Sequence, residues 1–226
     1  RDQWGTDGYN LWGGYYSQAY FPSKKNYFMP AQHRREQIDL PLFRMLGSDP
    51  IHQYDAGRDE DWNPSKWQPV LTLEPVYPSA GGTKEWVDWF FKENFNGHCL
   101  SFAYAQAGQE NSFGWERMRE GYCYQMEKIA NEVAARHLVC WTLEECGEYV
   151  LAHSKKTPST SVMAFSDWSK ENKRSLWFDS RFYRLNLVYD DSRAWIRDAF
   201  AFNENLIEPF HASISTSPSC FYEGLP

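Results

Sequence analysis

The sequence predicts an α/β fold, a partial or shortened (βα) TIM-like barrel followed by a β-rich antiparallel segment. From Leu42 onwards, short apolar runs alternate with amphipathic stretches, which is typical of βα units around a parallel sheet. Beyond Lys173, residues alternate between apolar and polar and turn signals separate the runs, as in antiparallel strands. A complete eight-fold barrel usually needs ~250 residues. We therefore expect a barrel-like catalytic region over 1–170 and the antiparallel segment over 171–226.

The chain begins with an irregular arm over residues 4–39, rich in Gly, Tyr, Trp, Pro and Asn and without a sustained period of 3.6 or 2. Loops of this length are often functional when they occur in compact domains. The arm is a candidate wall of a binding cleft, with Trp12 as a substrate-binding residue, or alternatively an edge segment of a sheet.

The expected strands and helices come next along the chain. The apolar runs lie at 42–46, 70–73, 99–104, 138–143 and 162–165. Between them, apolar side chains recur at the helical period, which predicts helices over 84–95, 114–136 and 144–153. The alternating runs at 175–178, 182–189 and 194–202 predict the antiparallel strands.

Composition narrows the class of protein. A net charge of −7 argues against a nucleic-acid-binding surface, and the apolar runs are too short to cross a membrane. Aromatic residues make up 18% of the chain, which suits either rings packed at sheet edges or a cleft for a flat ligand such as a sugar ring. The five cysteines show no metal-binding or disulfide spacing. Because the chain opens at Arg1, we expect it to be part of a longer protein; its compartment is open, with a lean towards secreted or periplasmic.

Acidic residues follow the predicted strands, at the end where barrel enzymes place their chemistry. They are, in strand order, Asp49, Glu74, Glu110, Glu144 and Asp167. An acid at such a position is also a common helix N-cap or first-turn residue, which is the simpler explanation for Glu144 and Asp167. Glu74 is harder to explain in this way, since Pro75 keeps it extended and no helix is expected before about Thr83.

Converging carboxylates are what cleavage of a glycosidic bond requires: one kept protonated by burial and one kept ionised. We therefore expect two of Glu74, Glu110 and Glu144 to act on an oligo- or polysaccharide, without an obligatory metal or other cofactor. Neighbouring side chains that could stack on or hydrogen-bond a sugar are Asp49, His52, Tyr77, Gln106, Asn111, Trp115 and Trp141.

Two other functions fit parts of the sequence. Asp49, His52 and Asp55 could serve a metal-dependent polysaccharide deacetylase, although a loop stabilised by Asp and His hydrogen bonds explains the same spacing. A carbohydrate-binding protein without catalysis is the third alternative. GxSxG, GxxxxGK and GxGxxG motifs are absent, which argues against serine hydrolases and nucleotide enzymes.

Three segments carry a resemblance to a known group of proteins. FRMLGSDP at 43–50, LEP at 73–75 and FAYAQAGQENS at 102–112 resemble bacterial (βα)-barrel proteins described as glycoside hydrolases. The likeness runs from about Trp4 to Asp167, and the tail is similar to the sandwich that often follows such barrels. It implies a carboxylate pair acting on a glycan, which Glu74, Glu110 and Glu144 match by position.

Overall fold

The structure is a computed structural model that describes residues 18–27, 29–43, 47–52, 71–95, 98–108 and 113–205. This part of the chain contains three α-helices and two antiparallel sheets. The helices are α1 (Lys84–Phe95), α2 (Trp115–Ala134) and α3 (Leu143–His153). None of the helices within these ranges is both long and apolar enough to cross a membrane.

The two sheets differ in size. The smaller one pairs β1 (Ala19–Tyr20) with β2 (Leu42–Phe43). The larger one has five strands that neighbour each other in chain order: β3 (Cys99–Leu100), β4 (Thr160–Ala164), β5 (Arg174–Asp179), β6 (Tyr183–Tyr189) and β7 (Ala194–Ala201). Every strand pair in both sheets is antiparallel.

The large sheet buries one face through the two-residue period of its strands. Along β5 and β6, buried positions alternate with half-buried ones, so that Trp177 and Val188 are fully enclosed. The Trp177 indole N–H and the Ser175 hydroxyl both donate to the carbonyl oxygen of Pro50, at 2.9 and 2.6 Å. The sheet is therefore joined directly to the 47–52 segment, which carries part of the candidate site.

Helix α1 supplies much of the hydrophobic core. Its buried side chains include Trp86, whose ring stacks on Phe90 with centroids 5.3 Å apart. Ile51 and Leu73 belong to the same cluster. The core thus lies directly beneath the two segments 47–52 and 71–73.

The predicted barrel is wrong. A barrel needs neighbouring parallel strands, but the apolar runs find antiparallel partners or none among the described residues. Residues 42–43 pair with β1, 99–100 pair with β4, and 71–73 form only the isolated antiparallel bridge between Ser48 and Thr72. Residues 138–142 form no strand. The fold is a mixed α/β arrangement rich in antiparallel β-structure.

The local predictions fared better than the topology. The helices expected over 84–95, 114–136 and 144–153 are confirmed as α1, α2 and α3, with closely similar ends. The strands expected after Lys173 are confirmed as β5, β6 and β7. The domain boundary between 170 and 171 stays a prediction.

Candidate functional site

Three backbone segments meet at Gly47. The Leu73 N–H donates to the carbonyl of Gly47 at 2.8 Å, and the Gly47 N–H donates to the carbonyl of Gln106 at 3.3 Å. The Asp49 N–H donates to the carbonyl of Leu71 at 2.7 Å. Residues 47, 71–73 and 106, which lead towards Asp49, Glu74 and Glu110 in the sequence, are therefore adjacent, and antiparallel or irregular hydrogen bonds join them.

Glu74 opens a compact loop over residues 74–83, here called the Glu74 loop. Its side chain is almost completely buried, with the residue 6% exposed. Backbone hydrogen bonds hold the loop at its base and within itself: the Gly81 N–H donates to the carbonyl of Thr72, just before the loop, at 2.9 Å, and the Gly82 N–H donates to the Tyr77 carbonyl at 2.8 Å. Between Glu74 and Lys84, all of which the structure describes, no helix begins, as the sequence predicts.

Helix α2 packs against this loop through small and polar residues. A Cβ at Gly121 of α2 would lie 2.6 Å from the carbonyl oxygen of Pro75 in the loop and 2.9 Å from Cα of Gly82. The side-chain amide of Gln125 donates to the carbonyls of Leu73 and Gly81, at 2.7 Å each. Backbone contacts thus fix where Glu74 lies.

Asp49 is fully buried and serves as a local acceptor. One carboxylate oxygen accepts the backbone N–H groups of Ile51 and His52, both at 2.8 Å, and the other accepts the indole N–H of Trp86 at 3.4 Å. Burial raises the pKa of Asp49, and the interactions with His52 and Ile51 oppose that rise. These contacts hold the turn after Gly47 in place.

His52 connects this turn to the segment after β4. Its Nε2 lies 2.6 Å from Oδ1 of Asp167. The same carboxylate also accepts backbone N–H groups, that of Ser169 on Oδ1 and those of Glu171 and Lys173 on Oδ2. Burial alone would raise the pKa of Asp167, but the hydrogen bond and charge of His52 and the further donors hold it below its usual value. The carboxylate is therefore ionised at neutral pH and binds residues 167–173 to His52.

The Asp49–His52 pair shows the features of a hydrogen-bonded loop. Both carboxylate oxygens of Asp49 accept protein donors, and His52 Nε2 faces Asp167. Across the residues with defined positions, no three His, Cys, Asp or Glu side chains are grouped so that they could hold a metal ion. Asp55, the third member of the predicted metal set, lies outside those residues.

Glu144 has a different environment. It is exposed in the first turn of α3, where Thr142 and Glu145 form a capping box: the Glu145 N–H donates to Thr142 Oγ1 and the Thr142 N–H donates to Glu145 Oε2. Trp141 is also exposed, and its ring contacts Tyr149 with centroids 5.2 Å apart. This part of the molecule has the geometry of a helix N-terminus.

The other predicted substrate-binding and catalytic residues fall into three groups: some lie near the Glu74 loop, one is exposed, and some lie outside the described residues. Tyr77, in the Glu74 loop, is half-buried with its ring edge against Phe113, and the Gln106 side chain accepts from the hydroxyl of Tyr104 at 3.4 Å. Trp115 is exposed at the start of α2. Trp12, Glu110 and Asn111 lie outside the described residues.

No family model matches the chain, and no curated protein matches it. Among solved structures it is similar to a protein of Parabacteroides distasonis that is described as a candidate glycoside hydrolase/deacetylase, with a TM-score of 0.68 and 17% identity. The match covers 88% of this chain and 49% of that chain, so the chain spans about half the length of its structural neighbour. At this identity the likeness shows a shared fold.

Proposed function

We propose that the chain belongs to a carbohydrate-active hydrolase that cleaves a glycosidic bond with two carboxyl groups, one of them Glu74. The observation that carries the proposal is the burial of Glu74 in a loop whose backbone is fixed on both sides, at the meeting point of three segments. The description of the structural neighbour as a candidate glycoside hydrolase/deacetylase supports the substrate class.

A fixed and nearly dry carboxyl suits this chemistry for a physical reason. Glycosidic cleavage needs one acid that is shielded from water, so that it can hold a proton for the leaving oxygen, and a second carboxylate that is ionised. The reacting group must also be held within a fraction of an ångström of its productive position. Glu74 meets the requirements of shielding and fixation, which Glu144 does not, because Glu144 is exposed.

Glu110 is our choice for the second carboxylate. The backbone of Gly47 is hydrogen-bonded to that of Leu73 on one side and to that of Gln106 on the other. The segments that contain Glu74 and Gln106 therefore lie on the two sides of Gly47. Four residues of extended chain reach at most ~14 Å, which allows Glu110 to approach Glu74. A separation of ~5 Å would give retention of configuration and ~6.5 to 9.5 Å inversion. Glu144 is the alternative partner.

Removal of an acetyl group is the second candidate activity. The description of the structural neighbour includes this activity, and the buried Asp49 and His52 share one turn beside the Glu74 loop. A deacetylase of this type would depend on a metal, so chelation separates it from the carboxylate mechanism. Glycan binding without turnover would identify a third class, a carbohydrate-binding protein.

The test is a glycan screen that follows reducing-end release and acetate release, with and without a chelator. We expect the wild-type protein to release reducing ends whether or not the chelator is present. Each of the substitutions Glu74→Gln and Glu110→Gln should lower the rate of this release by ~10²- to 10⁴-fold. Chelator-sensitive acetate release, or near-normal turnover in both variants, would overturn the proposal.

Glu93→Gln is the matched control in this screen. Glu93 is about as buried as Glu74, at 4% exposed, and its carboxylate accepts the backbone N–H groups of Phe165 and Ser166. Its substitution should lower thermal stability and leave turnover below the melting temperature unchanged, because this carboxylate anchors a loop.

A further inference from the structure

Gln125 is a buried polar residue on the face of α2 that meets the Glu74 loop. It is 1% exposed, and its side-chain nitrogen lies 2.7 Å from each of two carbonyl oxygens, those of Leu73 and Gly81. Because both partners are acceptors, the group that faces them must be the amide NH₂. Both N–H donors of the Gln125 amide therefore bind backbone carbonyls, one before Glu74 and one after it.

The two carbonyls lie at the two ends of the Glu74 loop. Leu73 directly precedes Glu74, and Gly81 comes just before the loop leads into α1. The loop has no helix or strand of its own. One amide group therefore bridges the base of the loop, and the rigid helix behind it sets the position of that base.

A glycine on the same face of α2 allows the helix and the Glu74 loop to approach closely. Gly121, one turn before Gln125, leaves room for the loop, since a Cβ there would lie 2.6 Å from the Pro75 oxygen and 2.9 Å from Cα of Gly82. Without this glycine the backbone of the loop could not approach α2 closely enough for the Gln125 amide to reach it. Gly121 and Gln125 form one contact surface for the loop.

We propose that Gln125 is a positioning residue that holds Glu74 in its reactive place, an inference that rests on the proposed function of Glu74. Without the amide, two buried carbonyls lose a donor and the base of the loop is free to relax. A displacement of ~1 Å at a reacting group can lower the rate ~10²-fold. Substrate binding should change less, because Gln125 is itself out of contact with solvent.

The experiment compares Gln125→Met with Met118→Ala. Methionine keeps the length and packing of glutamine without its donors, while Met118 is a buried apolar residue on the same face of α2 whose truncation lowers stability by cavity formation. For each variant, kcat and KM are measured on the glycan found in the screen, below the melting temperature, together with amide hydrogen exchange at Gly81, Gly82 and Thr83.

We expect kcat of Gln125→Met to fall ~10- to 100-fold with KM little changed, and the three loop amides to exchange at least ~10-fold faster. Met118→Ala should leave kcat and loop exchange near wild type. Unchanged loop exchange, or a kcat no lower than that of Met118→Ala, would overturn the inference. If Gln125→Met does not fold, Gln125→Asn takes its place, because it keeps a neutral amide but is one methylene too short to reach both carbonyls.

The two arms separate this inference from the proposed function. If the wild-type protein cleaves no glycan, the proposed function fails and the assignment of Gln125 to a catalytic purpose fails with it. The exchange arm then still decides whether Gln125 holds the loop, because it needs no substrate. If the wild type is active and only the Gln125 result is negative, the proposed function stands alone.

Discussion

The Glu74 loop and the N-terminus of α3 carry the same sequence pattern, an apolar run followed by a glutamate, yet they are built differently. Glu74 is buried in a loop that α2 holds through Gln125. Glu144 is exposed in the first helical turn, where Thr142 caps the helix locally. The difference teaches that an acid after an apolar run becomes a candidate catalytic group only when distant residues bury and fix it.

The largest expected effect tests this difference directly. Glu74→Gln should lower kcat on the glycan substrate by ~10²- to 10⁴-fold, since the substitution removes the proton-transferring group. Glu144→Gln should stay within about twofold, because a solvated helix-end carboxylate interacts with the helix dipole only weakly. Both rates are measured at one pH below the melting temperature. If Glu144→Gln lowered kcat as much as Glu74→Gln, the two regions would belong to one catalytic site.

Two helical glycines provide the next test, on stability. Alanine at Gly121 would place its Cβ against the Pro75 carbonyl oxygen, so we expect the free energy of unfolding to fall by ~1–3 kcal/mol despite the better helix propensity. Alanine at Gly147 of α3 meets no atom within 4 Å, so the protein should gain ~0.5–1 kcal/mol. Denaturant titration of both variants measures the difference. Equal effects would show that the loop is not in close contact with α2.

The sequence predicted the elements that depend on local contacts and failed for those that depend on distant ones. The helical period placed α1, α2 and α3, because a helix bonds within itself. The runs at 42–46 and 99–104 were identified as apolar, but their partners β1 and β4 lie far away in sequence, and nothing in a short apolar run specifies the direction of its neighbour. The barrel prediction failed at that step.

The candidate site shows the same limit. The isolation of Glu74 before Pro75 was visible in the sequence and singled it out from the other acids. Gln125 was missed because α2 buries the face of Met118, Gly121 and Gln125, where only Met118 is a large apolar residue, so no apolar pattern marks that the glutamine faces inward. The contact between His52 and Asp167 joins residues more than a hundred positions apart, which only the folded chain brings together.

A smaller effect concerns Asp167, which holds the turn beside the Glu74 loop through His52. Because its pKa in the folded protein lies below the ordinary value of ~3.9, its ionised form stabilises the fold above that pH, and the contribution is lost as the pH falls through the folded-state pKa. Asp167→Asn should therefore lower the melting temperature most above about pH 5, with the gap to wild type narrowing on acidification.

Asp190→Asn is the control for this pH series. The Asp190 carboxylate also accepts backbone N–H groups, those of Ser192 and Arg193, but in an exposed turn between β6 and β7. Its substitution should change the melting temperature only slightly. A constant gap between Asp167→Asn and wild type at all pH values would show that the ionised carboxylate is not what holds the two segments together.

The smallest expected effect concerns the N-terminus of α3. Thr142→Ala removes the side-chain oxygen that accepts the Glu145 N–H, and loss of such a cap costs ~1 kcal/mol. Because the cap is local to α3, the loss should appear as faster amide exchange in the first turn of that helix, while the exchange of Gly81 and Gly82 stays unchanged. A Thr142→Ala variant that also loosened the Glu74 loop would couple the two regions and contradict the division between a locally stabilised helix end and a loop held from a distance.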